Sequence, residues 1–155
     1  MQITDIYGYW QKLGHNKIGR WIFNHIIPFV NPYTGALKAS VVELSMGHSR
    51  IHLKDRRALR NHLNSIHAIA LTNLGEFTSG LALISLFKED MRGIPIEIKI
   101  NFVKKARGTL FAECTTQLPD FDEQLEHTVV AIIKDSDDEE VARVNVVWKL
   151  GYKKD

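Results

Sequence analysis

The chain is poor in cysteine, in uninterrupted apolar sequence and in surplus charge, and each scarcity removes a class of protein. Cys114 is its one cysteine, so no disulfide can form within it, and a reducing, cytoplasmic setting is expected. No apolar run nears the roughly 20 residues that a membrane-spanning helix needs, and no charged start followed by an apolar core marks an export leader. Lysine and arginine number 20 against 18 aspartate and glutamate, a net charge of +2. These charges are spread along the chain rather than gathered in one basic block, so nucleic acid is not an expected partner. A G-x-S-x-G elbow, a Walker loop, a dinucleotide fingerprint and a paired Cys-x-x-Cys are all missing. So are internal repeats and low-complexity segments. With 45 % hydrophobic and 25 % charged residues, 155 residues fit one domain with a real core.

What is present is organised around the stretch from Asn61 to Phe87. It contains no lysine or arginine, and its single formal charge is Glu76. Ile66, Ala70, Leu74, Phe77, Leu81 and Ile84 follow one helical course; Ile69, Gly80, Leu83 and Phe87 follow another. A helix apolar nearly all round is expected to be wrapped by other structure. Asn64 and Ser65 are candidate N-caps, which starts the helix near Ile66 and gives a rod of about 30 Å. A carboxylate in the middle of that rod costs several kcal/mol to desolvate without partners. Glu76 must therefore cap a loop, pair with an arginine at an interface, or stand at an opening in the core.

Ahead of this stretch, residues 3–30 read as helical, divided at Gly14. Ile18, Trp21, Ile22, Ile26 and Phe29 repeat at helical spacing with Arg20 and Asn24 on the other side, and Pro28 with the following Asn-Pro is expected to stop the helix. Such a helix covers the end of a sheet, touches a membrane surface or lids an acyl tunnel. Ala39 to Leu44 and Arg50 to Lys54 read as strands about a turn at Gly47. His48 and His52 share a strand face without the further ligands that zinc requires. Arg56, Arg57 and Arg60 lie in a charged linker. Beyond the central stretch, Ile94, Ile96, Ile98, Ile100 and Phe102 alternate with polar residues and Pro95, which predicts a strand with one buried and one wet face. KKARG reads as a turn into a returning strand, 109–117, with Leu110, Ala112 and Cys114 on one side. Strands 126–134 and 141–150 follow, joined by the acidic tip DSDDEE, which lacks EF-hand spacing. Short connections between strands predict antiparallel neighbours, so the pattern gives an α+β fold: a sheet curled around one long helix, with an N-terminal helical segment.

Asn61, His67 and Glu76 stand as Asn-x5-His-x8-Glu. This resembles the Asn…His-Gly-Gly…Asp/Glu pattern of hotdog-fold acyl-CoA thioesterases of the phenylacetate-pathway type. The strings PYTGALKAS, RNHLNSIHAIALTNLGEFTSGLAL and KKARGTL are more similar still to a hotdog family labelled only as a domain of unknown function. The resemblance runs from about Pro32 to Trp148. It implies a hotdog core over 37–150 and a helical extension over 1–31, within one domain of 1–155.

For activity, the resemblance implies thioester hydrolysis on coenzyme A or an acyl carrier, with no metal and no cofactor beyond the thioester substrate. Glu76 is the implied general base or nucleophile, Asn61 positions water or the carbonyl, and His67, in the first turn of the helix, is the third implied catalytic residue. The amides of Ala68 and Ile69 hold the thioester oxygen, although the thioesterases have Gly-Gly there. Asn73 and Gly80, one turn either side of Glu76, are expected to line its cleft, and Lys104, Lys105 and Arg107 to offer charge to phosphates. His67 and Glu76 are nine residues apart, on opposite sides of a helix and roughly 13 Å apart along it. They cannot meet within one chain, so catalysis implies a homodimer or a dimer of dimers. The alternative is a non-catalytic module that holds fatty acyl or coenzyme A ligands. A dehydratase-type hotdog lacks its usual His and acid pairing here.

Overall fold

The computed structural model describes residues 5–152. Helix α1, Ile6–Leu13, ends at Gly14, and α2 runs Lys17–Val30 with the Asn16 side chain accepting from the Gly19 amide. The division at Gly14 is therefore where the sequence put it. Pro28 does not stop the helix: α2 continues to Val30. Near the C-terminal end of a helix the missing proline N–H removes only one ladder bond. The stop falls at Asn31, whose Oδ1 accepts from Thr34 N–H to open the short helix α3, Pro32–Gly35.

The face of α2 turned to the core is also not the predicted one. Gly19, Phe23 and Ile27 are buried, whereas Ile18, Trp21, Ile22 and Phe29 point outward. Phe23 meets the edge of Trp10 at 5.0 Å between ring centres, which locks α1 to α2.

Strands β1 (Ser40–Ser45) and β2 (His48–Leu53) form a hairpin turning at Gly47, where φ is +71°. A short 3-10 turn, Arg57–Leu59, leads to the central helix α4, Ala68–Ile84. Then come β3 (Met91–Phe102), β4 (Leu110–Thr115), β5 (Gln124–Asp135) and β6 (Glu140–Tyr152). All six strands belong to one antiparallel sheet in the order β1-β2-β4-β5-β6-β3. The sheet wraps α4, which packs against β2, β4, β5 and β6. Helix and sheet are pinned by polar bonds within the core: Ser49 Oγ donates to the Thr78 carbonyl at 2.7 Å, and the Gly47 amide donates to Ser85 Oγ at 2.8 Å. Gly75 lets the helix lie flat on β6, since a Cβ there would stand 2.3 Å from Val144 Cγ2.

Two expectations about β3 fail, for separate reasons. KKARG does not make a hairpin: β3 pairs with β6, and the connection to β4 passes beneath the start of α4, where the Ala106 carbonyl accepts from the Ile66 amide at 2.8 Å. The strict alternation is broken by a bulge between Pro95 and Glu97. Beyond it Ile98, Ile100 and Phe102 stand opposite Val146, Val144 and Ala142 on the helix side, but Ile94 stands opposite Lys149 on the other. Neither side is well covered. Ile94 is 60 % exposed and Ile98 41 %, because β3 is the edge of the sheet and α4 packs mainly on the other strands. None of the helices among the described residues is long and apolar enough to cross a membrane.

Candidate active site

The central helix starts two residues later than its apolar pattern suggests. His67 is the N-cap, and its Nδ1 accepts from the Ile69 amide at 3.1 Å. Asn64 and Ser65 are not caps; they belong to a turn gathered by Asn61, whose Oδ1 accepts from the Leu63 amide at 2.9 Å and the Ser65 amide at 3.2 Å. Beyond this turn Ile66 pairs with Arg60 in an isolated antiparallel bridge, so the helix cannot begin before His67. A helix N-terminus leaves its first amides without intrahelical partners. Of the two amides proposed to hold a thioester oxygen, Ile69 N–H is taken by His67, which leaves Ala68 N–H. The Ile69 side chain is exposed.

Glu76 sits on the wall of an apolar cavity of about 170 Å³. Phe77, Gly80, Leu81 and Ile84 of α4 form one side, Ile6 of α1 with Ile27 and Val30 of α2 form the roof, and Gly93, Pro95 and Trp148 close it from the sheet. Gly80 keeps the cavity open, since its Cα faces the Trp148 indole and a Cβ would lie 3.2 Å from it. The Glu76 carboxyl is half-buried and has no ion pair among the described residues. Burial alone raises its pKa above the ordinary glutamate value, with no charged neighbour to lower it.

The remaining residues divide between two hollows. His67, Ile69 and Asn73 line one of about 270 Å³ with Tyr33 and Arg60. Asn73 is thus parted from Glu76; its Oδ1 accepts from Thr34 Oγ1 at 3.0 Å, which ties α3 to α4. Asn61, Ala68, Lys104 and Lys105 line another hollow of about 300 Å³ with Phe102 and Val103 at the far end of β3. Lys104 is held by Asp135 at 2.6 Å and by Glu139, so its charge is already matched. Lys105 is exposed, and Arg107 donates to the Leu63 carbonyl at 3.4 Å.

Within one chain, then, Glu76 and Gly80 are together, Asn61 and Ala68 are together, and the two groups are apart. The sequence reading did not find Trp148, Ile27 or Val30. Trp148 was detectable from its parity with Val144 and Val146 along β6, facing a glycine on the helix.

A single long helix gripped by an antiparallel sheet, carrying one acid beside an apolar hollow, defines a hotdog-fold protein. The family described as "Domain of unknown function (DUF4442)" matches residues 19–150, and the chain belongs to that family. A crystal structure designated genomics APC5556 is similar over 96 % of this chain and 97 % of its own, at 23 % identity and a TM-score of 0.82. The Pseudomonas aeruginosa protein PA5026, described as a probable thioesterase, is 19 % identical over 83 % of this chain and 93 % of its own, with a TM-score of 0.73. The protein smu.793 of Streptococcus mutans, bound to acetyl CoA, is 20 % identical over 75 % of this chain and 91 % of its own, with a TM-score of 0.64. No curated protein matches the chain.

Proposed function

We propose that this protein hydrolyses acyl thioesters of coenzyme A or an acyl carrier, at sites shared between two copies of the chain. One observation carries the reading: Glu76 is a carboxylate kept in a largely apolar cavity with no cation among the described residues to neutralise it. A group in that state costs stability and gains basicity, the combination expected of a general base.

The edge strand supplies the assembly. β3 is long, apolar and, among the described residues, unpaired on one side, which makes it a template for a second strand. The Glu76 cavity opens beside Gly93 and Pro95 at the start of β3, and the hollow of Asn61 and Ala68 adjoins Phe102 at its end. In one chain those ends are on the order of 30 Å apart. Antiparallel pairing of β3 with β3 of a second copy sets the start of each beside the end of the other, so Glu76 of one protomer faces the helix start of its partner, twice per dimer.

In that arrangement the Ala68 amide, at the positive end of α4, holds the thioester oxygen as negative charge develops on it. Glu76 takes a proton from water, the oxygen attacks the carbonyl carbon, and the carbon–sulfur bond breaks with return of the proton to the leaving thiolate. In the same geometry, direct attack by Glu76 breaks the carbon–sulfur bond and expels the thiolate to give a mixed anhydride, which water then cleaves to free acid and the Glu76 carboxylate. Asn61 orients water or carbonyl, and Lys105 with Arg107 offers charge to the nucleotide phosphates. The like fold of a protein seen with acetyl CoA supports a thioester ligand.

A second reading, a binding module without turnover, is favoured by the Ile69 amide, which His67 already occupies. Thiol release from a panel of acyl-CoAs separates the two. Hydrolysis that falls by about 10²–10⁴ in both Glu76→Ala and Glu76→Gln supports the enzyme. Tight acyl-CoA binding without thiol release supports the module.

A further inference from the structure

The outward side of α2 is built for contact with something apolar. Ile18 is 73 % exposed, Trp21 62 % and Phe29 86 %, with Ile22 and His25 between them. At 100° per residue these fall in an arc of about 100°, on the opposite side from buried Gly19, Phe23 and Ile27. A surface helix ordinarily turns polar residues outward, so one that is apolar on both sides marks an interaction surface.

Charge and backbone chemistry say what kind. Residues 6–42 contain Lys12, Lys17, Arg20 and Lys38 and not one aspartate or glutamate. Lys12 and Lys17 are exposed beside the stripe and line a hollow with Ile18 and Ile22. Arg20 lies on the other side of α2, held against α1 with its guanidinium 5.9 Å above the Trp10 ring and its Nε donating to the Gly14 carbonyl at 2.9 Å. The edge strand β3 offers unpaired peptide groups and so suits a second polypeptide strand, whereas the peptide groups along α2 are bonded within the helix. Only side chains face outward there, and they combine tryptophan, isoleucine and phenylalanine with one sign of charge.

We propose that the outer face of α2 docks the protein onto an anionic lipid surface. The apolar stripe enters the boundary between headgroups and acyl chains, and Lys12 and Lys17 meet the phosphates. Ile27 and Val30, on the inner side of the same helix, roof the Glu76 cavity, so docking brings that cavity beside the bilayer. The proposal stands apart from the hydrolysis reading, because it is tested without any thioester.

The test uses vesicles of phosphatidylcholine with about 30 % phosphatidylglycerol against pure phosphatidylcholine. Trp10 and Trp148 are buried and Trp21 exposed, so the emission of the intact protein reports where Trp21 goes. The expected result is co-sedimentation with the anionic vesicles, a blue shift in emission, and loss of binding at about 0.5 M salt. Lys12→Gln and Lys17→Gln each weaken binding about fivefold. The double variant Ile18→Ser, Phe29→Ser weakens it at least about tenfold and removes the blue shift, with thermal unfolding unchanged because both side chains are exposed.

No binding, equal binding to both vesicle types, or a double variant that binds like the wild type overturns the proposal. So does a change of oligomeric state in the double variant, which would make the stripe a contact between copies.

Discussion

Glu76 ties stability to pH in a direction opposite to most carboxylates. Its folded pKa lies above the unfolded value because burial penalises the charge. The folded chain therefore holds the proton more tightly, and stability is greatest below the unfolded pKa and declines as pH rises through the folded one. Glu76→Gln is accordingly expected to melt at a higher temperature than the wild type at pH 7, with the gap closing towards pH 4, as calorimetry at several pH values would show. If Glu76 is the base, kcat/KM climbs over the same raised pKa, so the protein trades stability for rate at one atom. Cys114 is the contrasting residue. Burial pushes its thiol up to about 12, and slow modification by a thiol reagent, on the timescale of global unfolding, is expected.

Individual elements show what local pattern can and cannot encode. The burial of Leu110, Ala112 and Cys114 along β4 follows from alternation alone and was legible. The long buried helix was legible too, since apolarity on every side leaves it no other place. The face chosen by α2 was not, because Ile18, Trp21, Ile22 and Phe29 make a stripe as convincing as the one that is buried; three-dimensional closure, with Phe23 on Trp10, decided between them. The start of α4 was hidden because histidine is a poor cap by propensity, and the bulge at Ile96 because an unbroken nine-residue alternation in the sequence gives no hint that it is interrupted. The pairing of the site residues was only partly readable: Glu76 and Gly80 share a cavity, but Asn73 was claimed by Thr34, a residue far away in sequence. Gly75 gives an element-scale test. Gly75→Ala drives a methyl group into Val144, and a loss of about 1–3 kcal/mol in urea unfolding is expected. Adding Val144→Ala should recover part of it, since the two positions touch.

For the whole molecule, the decisive question is whether two copies build each site. If they do, mixing Glu76→Gln protein with Asn61→Ala protein and allowing subunits to exchange restores thiol release to about a quarter of the wild-type rate. Half the dimers are then mixed, and each mixed dimer has one site with both defects and one with neither. Sites confined to single chains would stay dead on mixing. Replacing Ile98 by lysine at the exposed edge is expected to release monomers, seen by sedimentation velocity, and to abolish hydrolysis without unfolding the protomer.

The partnership of β3 with β6 also bears on how the chain is made. At the ribosome, Met91–Phe102 emerges well before Glu140–Tyr152, the only strand it pairs with among the described residues. For that interval both rims of an isoleucine-rich ribbon lie open, and this is the moment at which the nascent chain most needs a chaperone.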